Sequence, residues 1–458
     1  MGSRQFNPWL YEYYSQFSPD ISAAENLRMV FLIGSADISG GSYVIFEHAL
    51  HAQRQGCEVV IVPIFDMAGV APDWHPALRE LEFATFEQIA SRDFDVAIAT
   101  WWPTVYELPR VRFRHAIYFV QSAESRFYAI GADRDSAGLA ELTYTFGLPA
   151  ITIATWLQMY LGFQHDTISF LCRNGVDKSR YSPDGPLLAP RRTQGLRVLV
   201  EGSMAPMKGV AEAVQAAADG GADEVWLLTP SEISEYPGCD RVISRIPAEQ
   251  TAQVYRSCDV LLKLSQVEGM YGPPLEMFHC GGTVITNDVT GSDEFIRDGV
   301  NALVVPTGDQ AAAAGAVRRL RESEGLLHRL REGALKTAGG WSDWSDSSRV
   351  FLGLVTTISK QERPDRVDLV SRIIGHRSQY ELHLARAVGC RNRVDVRLAA
   401  TNPETQPARC EVNLELGAAM DRLEAAEADR RVAQHELEAL RRRFLYRAGR
   451  KIRSWMGS

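Results

Sequence analysis

The sequence predicts an α/β protein of two doubly wound domains facing a cleft, followed by a helical, coiled-coil extension. Three observations predict it. Short apolar runs alternate with turn residues and helical stretches, this alternation stops at a proline-rich segment and then restarts, and a heptad pattern sets in only from residue 412. The implied divisions are 1–185 for the first domain, 186–358 for the second, 359–411 for a mixed polar extension of unassigned fold, and 412–458 for a coiled coil with a basic amphipathic end.

After an aromatic and polar lead-in, Met29-Val30-Phe31-Leu32-Ile33-Gly34 reads as a buried strand ending in a turn. Ser39-Gly40-Gly41-Ser42 then opens a helix through His48 and Ala52, which Gly56 stops, and Val59-Val60-Ile61-Val62 is the next strand. Such a β-turn-α-β unit implies a right-handed crossover and a parallel sheet. Asp95–Ala99 and Ala116–Val120 continue the series. Pro183, Pro186 and Pro190 mark the interdomain linker. Beyond it come the strand Leu196–Val200, the Gly202–Gly209 loop with an Ala-rich helix, and the strands Glu224–Leu228, Asp259–Leu262, Thr283–Thr286 and Ala302–Val305. A helix is expected over 309–333. In the tail, Leu416, Leu423, Arg430, Leu437 and Phe444 repeat every seven residues, with Val412, Ala419, Ala426, Ala433 and Leu440 between them. That is a coiled-coil seam interrupted at Arg430; a lone helix packed on its own protein is the other reading.

Composition narrows the class. With 45% apolar and 23% charged residues the chain is ordinary for a globular protein. A net charge of -8 argues against a nucleic-acid-coating protein. Seven scattered cysteines without a C-x-x-C pair indicate neither a disulfide framework nor a zinc site. His48 and His51 are three apart on one helix but have no third ligand in sequence reach, so no metal is expected. No apolar run reaches the ~18 residues of a membrane span. There is no charged-then-apolar leader either, so a cytoplasmic protein is expected. Seven basic residues and no acidic one between Arg441 and Arg453, mixed with Phe444, Leu445, Tyr446 and Ile452, resemble an interfacial helix drawn to anionic lipid. That suits peripheral attachment at the inner membrane; a solvated tail or a partner-binding helix is the alternative.

The strongest chemical signal is Glu268-Gly269-Met270-Tyr271-Gly272-Pro273-Pro274-Leu275-Glu276. Its glycines let backbone N–H groups approach a ligand, and a helix starting here offers free donors and partial positive charge to phosphate. Two acids flanking an anion site make sense if they accept hydrogen bonds from sugar hydroxyls. Trp101-Trp102-Pro103 follows a strand end, where an indole face can stack on a sugar or can simply be core.

This stretch resembles the E-x7-E motif of retaining glycosyltransferase family 4, which has the GT-B fold of two Rossmann-like domains. Further pieces follow in the family's order: Gly281–Thr286, Gly291-Ser292-Asp293-Glu294 and Asp298–Pro306, with Asn174-Gly175-Val176-Asp177, Tyr181-Ser182-Pro183 and Gly40-Gly41 upstream. The resemblance covers about 30 to 355. It implies that Glu276 binds the nucleotide ribose and Glu268 the donor sugar. It also implies that the backbone of Gly269, Met270, Tyr271 and Gly272 cradles phosphates or sugar, with Ser203 and Asn174 on the same donor side. Lys208 would stabilise the leaving diphosphate electrostatically, without a metal or other cofactor. Gly40, Gly41, Gln121 and Trp101 would face the acceptor.

Two positions depart from the family pattern. Ser203 stands where an arginine five residues before the lysine is usual, so a diphosphate contact is missing or comes from Lys263 or Arg173; Gln121 stands where a histidine is frequent. The stretches Tyr118–Tyr128, Leu142–Gly147, Ile153–Leu157 and Tyr271–Met277 are similar, more loosely, to bacterial rhamnosyltransferases of surface glycans such as O-antigen. The expected activity is therefore retaining transfer of a hexose or deoxyhexose, with L-rhamnose from dTDP-rhamnose as the leading donor. The acceptor would be a surface polysaccharide or its lipid-linked precursor. The rival expectation is a non-catalytic sugar-nucleotide-binding scaffold of a glycan assembly complex, organised through the coiled coil.

Overall fold

A computed structural model describes residues 26–65, 67, 73–129, 134–192, 194–361 and 366–399. Residues 412–458, where the heptads and the basic end lie, are outside the described residues.

The first domain is built on seven strands: β1 (Arg28–Ile33), β2 (Glu58–Pro63), β3 (Glu82–Phe83), β4 (Asp93–Ala99), β5 (Arg112–Val120), β6 (Ala150–Thr152) and β7 (Ser169–Leu171). They form one parallel sheet in the order β3-β2-β1-β4-β5-β6-β7. From Met29 to Ile33 every residue of β1 is buried, as a parallel strand covered on both faces requires. The first helix, α1 (Gly40–Arg54), starts where the Ser39 hydroxyl accepts from the Ser42 N–H, and the chain turns out of it at Gly56 with φ +93°. Two further helices of this domain bear on the cleft, α2 (Trp102–Glu107) and α3 (Thr155–His165).

The second domain repeats the plan with β8 (Arg197–Glu201), β9 (Glu224–Thr229), β10 (Arg241–Ser244), β11 (Val260–Lys263), β12 (Thr283–Asn287) and β13 (Ala302–Val305). The order β10-β9-β8-β11-β12-β13 is again parallel throughout. Its helices include α4 (Val210–Asp219), α5 (Ala248–Ser257), α6 (Gly272–His279), α7 (Gln310–Glu322) and α8 (Glu324–Gly339). Leu262, Val200, Leu227 and Ile285, on neighbouring strands, are at most 1% exposed and form the middle of its core. The expected helix over 309–333 is in fact two, because Ser323 turns its hydroxyl onto the Leu326 N–H and starts a new helix.

In each sheet the chain first winds to one side of its opening strand and then returns to the other. The reversals fall between β1 and β4, and between β8 and β11. At such a switch point the loops leaving adjacent strands splay apart and open a crevice at their carboxyl ends. The loops carrying Gly40, Trp101, Lys208 and Glu268 all leave these four strands.

The boundary expected at 358 needs correction. Helix α9 (Trp344–Ser359) covers the first domain, not the second. The Phe351 ring stacks on His48 at 4.3 Å, and His48 Nδ1 lies 2.9 Å from Ser348 Oγ. His48 is thus a core residue; burial, with a smaller contribution from His51, pushes its pKa down to about 3. The chain reaches this helix by passing Asn174-Gly175-Val176, with Val176 bridged to Asp343. In the polar extension a helix, α10 (Arg366–Ala399), occupies the segment of unassigned fold. The described residues from His376 to Ala399 fall in a compact unit separate from the rest.

Candidate active site

The centre of the second domain's cleft wall is a chain of alternating charges. Lys263 ends β11 beside the end of β8, so its ammonium meets the last residue of that strand. Its Nζ lies 2.6 Å from Glu201 Oε2 and 3.7 Å from Glu268 Oε1. Lys208 Nζ donates to the same Glu268 oxygen at 2.9 Å. The Lys208 loop is held in place by Gly209, at φ +62°, where a Cβ would come within 2.1 Å of the Leu264 carbonyl oxygen. Burial acts to raise the Glu268 carboxyl, but the Lys208 and Lys263 charges outweigh it and hold the group below its ordinary range. Lys263 is 2% exposed; burial opposes its charge, yet Glu201 and Glu268 keep its pKa raised.

Glu276 sits in the first turns of α6, half-buried, with the Tyr255 and Tyr181 hydroxyls near enough to favour its ionised form. Burial and the neighbouring Glu201 charge push its pKa up to about 7, against the tyrosine hydrogen bonds and the Arg180 charge. Arg180, in the linker between the domains, donates to the Tyr43 hydroxyl of α1 at 3.2 Å. Glu276 therefore feels groups from both domains.

The first domain faces this wall with the start of α1 and the loop after β5. Gln121 Nε2 donates to the Gly41 carbonyl at 3.3 Å. A Cβ on Gly40 would meet no atom of the protein, so the protein's own packing does not require glycine there. The other end of Gln121 touches the second domain, since a Cβ on Gly269 would come within 1.8 Å of the Gln121 carbonyl oxygen. Trp101 is half-buried and covers Gly34 at the end of β1, with Phe65 edge-on to it at 5.8 Å. It keeps part of its surface open, whereas Trp102 next to it is 3% exposed.

The fold thus joins Lys208 to Glu268, and Gly41 through Gln121 to Gly269. Met270 and Gly272 lie in the turn into α6, where Gly272 has open space around it. Ser203 is half-buried in the loop after β8. The Tyr271 side chain is a strut: its hydroxyl donates to the Lys263 carbonyl at 2.9 Å and is fully buried, so only its backbone remains for a ligand. Asn174 stands at the interdomain crossing, where its carbonyl accepts from the Trp341 indole at 2.9 Å. Sequence reasoning missed Glu201, Arg180 and Tyr255. For Glu201 a signal existed, because a carboxylate ending a parallel strand at a switch point faces the crevice. Arg173, considered as a substitute cation, instead donates to Glu294 at 2.7 Å. Lys263, the other substitute, is inside the cluster.

Among the described residues no three His, Cys, Asp or Glu side chains gather as a metal-holding group, and no helix is long and apolar enough to cross a membrane.

Residues 231–337 match the family model described as glycosyl transferases group 1. The chain is similar to the O-antigen biosynthesis protein RfbC of Myxococcus xanthus, 31% identical over 283 residues, which cover 57% of this chain and 21% of that protein. It spans from about a fifth to half the length of such curated relatives. Among solved structures, sucrose-phosphate synthase from Thermosynechococcus elongatus superposes with a TM-score of 0.59 at 15% identity, over 72% of this chain and 98% of that one. Anabaena HepE in complex with UDP-glucose gives 0.59 at 13% identity, over 72% and 100%. The fold is GT-B, two Rossmann-like domains about a cleft, and the residues that match the glycosyl transferases group 1 model lie within the second domain.

Proposed function

We propose that this chain is a retaining glycosyltransferase that takes a sugar from a nucleoside diphosphate sugar, and that it builds a bacterial surface polysaccharide or its lipid-linked precursor. The observation that carries the reading is the pairing of Lys208 with Glu268, one loop away from Glu276, at the switch point of the second sheet. The glycosyl transferases group 1 match over 231–337 and the likeness to an O-antigen biosynthesis protein support it.

In the cluster as it stands, each cation is neutralised by a carboxylate. The donor exchanges the partner of Lys208 alone. Its diphosphate takes Lys208, and the released Glu268 accepts hydrogen bonds from hydroxyls of the sugar. Glu276, in its ionised form, accepts from the ribose hydroxyls. As the bond from the anomeric carbon to the diphosphate oxygen breaks, negative charge grows on that oxygen, and the fixed Lys208 and Lys263 charges stabilise it without reorganising. The acceptor hydroxyl forms its bond to the same carbon from the same face, and its proton passes to the departing diphosphate. No basic side chain is needed at Gln121 for this step. Trp101 offers a stacking face to a carbohydrate acceptor. The proposed donor is dTDP-L-rhamnose, and the proposed place of action is the cytoplasmic face of the inner membrane.

A thermal-shift screen against dTDP-, UDP- and GDP-sugars, with and without EDTA, tests the reading, because a ligand that binds only the native state must stabilise it. Stabilisation by one nucleotide class, unchanged by EDTA, is expected. A flat response to all three would overturn the donor site, and with it both the transferase and the sugar-nucleotide-binding scaffold.

A further inference from the structure

Two hydrogen-bonded contacts tie the second domain to a helix of the first, and one of them reaches the donor-sugar loop. The α3 N-terminus has no side-chain cap of its own. Its first N–H, on Thr155, donates instead to Glu294 Oε1, a carboxylate from the other domain, at 2.5 Å. Arg173 closes the ring, with its Nε 2.7 Å from Glu294 Oε2 and its Nη2 3.0 Å from Thr155 Oγ1. The Glu294 side chain is only 4% exposed, so the carboxylate is buried under its partners, while the Arg173 guanidinium keeps one side to solvent at 46% exposed. One residue further along α3, the Trp156 indole N–H donates to the Gly269 carbonyl at 2.7 Å.

That carbonyl belongs to the residue after Glu268. The Glu268 carbonyl is itself held by the Thr290 hydroxyl at 2.8 Å. Gly291 follows Thr290, and a Cβ there would lie 2.3 Å from the Gly269 carbonyl oxygen. Gly269 is pressed from its other side by Gln121. Both peptide oxygens bracketing the start of the loop therefore have fixed partners, one from each domain. A peptide held at both carbonyls fixes the direction in which its side chain leaves.

We propose that Trp156 is a positioning residue: through the Gly269 carbonyl it sets the loop that aims Glu268 at the donor sugar, and the Glu294–Arg173–Thr155 clasp keeps it in reach. This rests on the reading of Glu268 as the group that contacts the sugar. Its consequence is that the sugar-reading carboxylate of one domain is aimed correctly only while the other domain is docked against it. The nucleotide-side groups, Glu276 and its tyrosines, do not depend on that contact.

The test compares nucleotide binding with sugar-nucleotide binding in the full chain. Affinities for UDP and UDP-glucose, dTDP and dTDP-rhamnose, and GDP and GDP-mannose are measured by calorimetry for the wild type, Trp156→Phe and Glu294→Gln. Trp156→Phe keeps an aromatic ring beside Tyr160 and deletes the N–H. It is expected to leave the affinity for the bare diphosphate within about twofold and to weaken the matching sugar nucleotide on the order of tenfold, the scale of one lost hydrogen bond. Glu294→Gln keeps an acceptor for Thr155 but loses the charge partner of Arg173, and is expected to shift the same ratio in the same direction. Should Trp156→Phe fail to fold, Glu294→Gln carries the test alone. A wild-type ratio in a folded variant overturns the positioning role. A parallel loss for both ligand types also overturns it, because it reports a general structural effect. If the wild type binds none of the six, the reading of the site fails, and this inference falls with it.

Discussion

Replacing Glu276 by glutamine should make the ligand-free protein more stable, not less. The carboxyl is pushed up to about 7 from an ordinary 4.5, by burial and by Glu201. Its native pKa therefore lies above its unfolded pKa, and between the two values the native state binds more protons than the unfolded chain. Stability must then fall as pH rises through this window, and the loss is complete above about pH 8. At 1.36 kcal/mol per unit the loss is at most ~3 kcal/mol. Because the carboxylate is only half-buried, screening reduces the expected gain to about 1–2 kcal/mol. The side-chain carbonyl of the introduced glutamine keeps an oxygen for the Tyr255 and Tyr181 hydroxyls to face, while the charge goes. For a domain of this size the gain corresponds to a melting point higher by roughly 2–6 °C at pH 8.5, shrinking to a small fraction of that near pH 5. Scanning calorimetry of both proteins across that range measures it. Equal melting differences at both pH values would refute the argument, because a packing effect of the substitution has no reason to follow the titration of one carboxyl.

Three further outcomes follow from the same geometry. Lys208→Met removes the cation nearest the proposed leaving group; initial rates should fall by about 10²–10³ with much smaller change in donor affinity, and an unchanged rate would place the leaving-group charge elsewhere. Binding of the bare nucleoside diphosphate should weaken as pH falls below about 7, because protonated Glu276 can no longer accept from both ribose hydroxyls; titration calorimetry across pH 5.5–8.5 would detect this, and Glu276→Gln should flatten the profile. Gly269→Ala adds a Cβ where the Gln121 carbonyl oxygen would be 1.8 Å away, so the domains cannot dock as they do here; small-angle scattering should show a more open particle, and an unchanged profile would mean the loop yields instead.

The elements legible in the sequence were those with strong local periodicity. Met29–Ile33, Leu196–Val200 and Thr283–Thr286 are apolar runs long enough to register as buried strands, and all three are strands here. The strands that escaped notice, such as Ala150–Thr152 and Ser169–Leu171, have three residues each, too few for any period to show. The broken helix at Ser323 was hidden because a serine inside an amphipathic run looks like an exposed position until its hydroxyl is seen to cap the next turn. The side on which Trp344–Ser359 packs could not be read at all, since it is decided by Phe351 meeting His48 across most of the chain. In the site, motif spacing brought out the Glu268 to Glu276 loop and Lys208. The partners Glu201, Tyr255 and Arg180 lie in other segments, and only the switch-point geometry gathers them.

The charge balance explains why carboxylates belong in the diphosphate site proposed above. Two buried or half-buried lysines without partners would carry a large desolvation cost and would be driven toward the neutral amine, losing the charge the reaction needs. Glu201 and Glu268 prevent that in the empty site: Lys263, almost wholly buried, keeps its pKa raised only because both carboxylates face it. The two roles then separate by geometry. Glu201 is anchored to Lys263 at 2.6 Å and takes no part in the exchange, so the buried ammonium stays charged throughout. Glu268 shares its oxygen between a short contact to the more exposed Lys208 and a long one to Lys263, and the short contact is the one a diphosphate can replace. Exchanging one anionic partner of Lys208 for another leaves its charge compensated, so the cost of opening the Lys208–Glu268 pair is offset on the lysine's side. On the other side the free carboxylate needs donors, and sugar hydroxyls placed beside the diphosphate supply them. A nucleotide lacking the sugar would displace Glu268 from Lys208 and leave it without new hydrogen-bond donors. In the proposed exchange the cluster thus discriminates in favour of the complete donor.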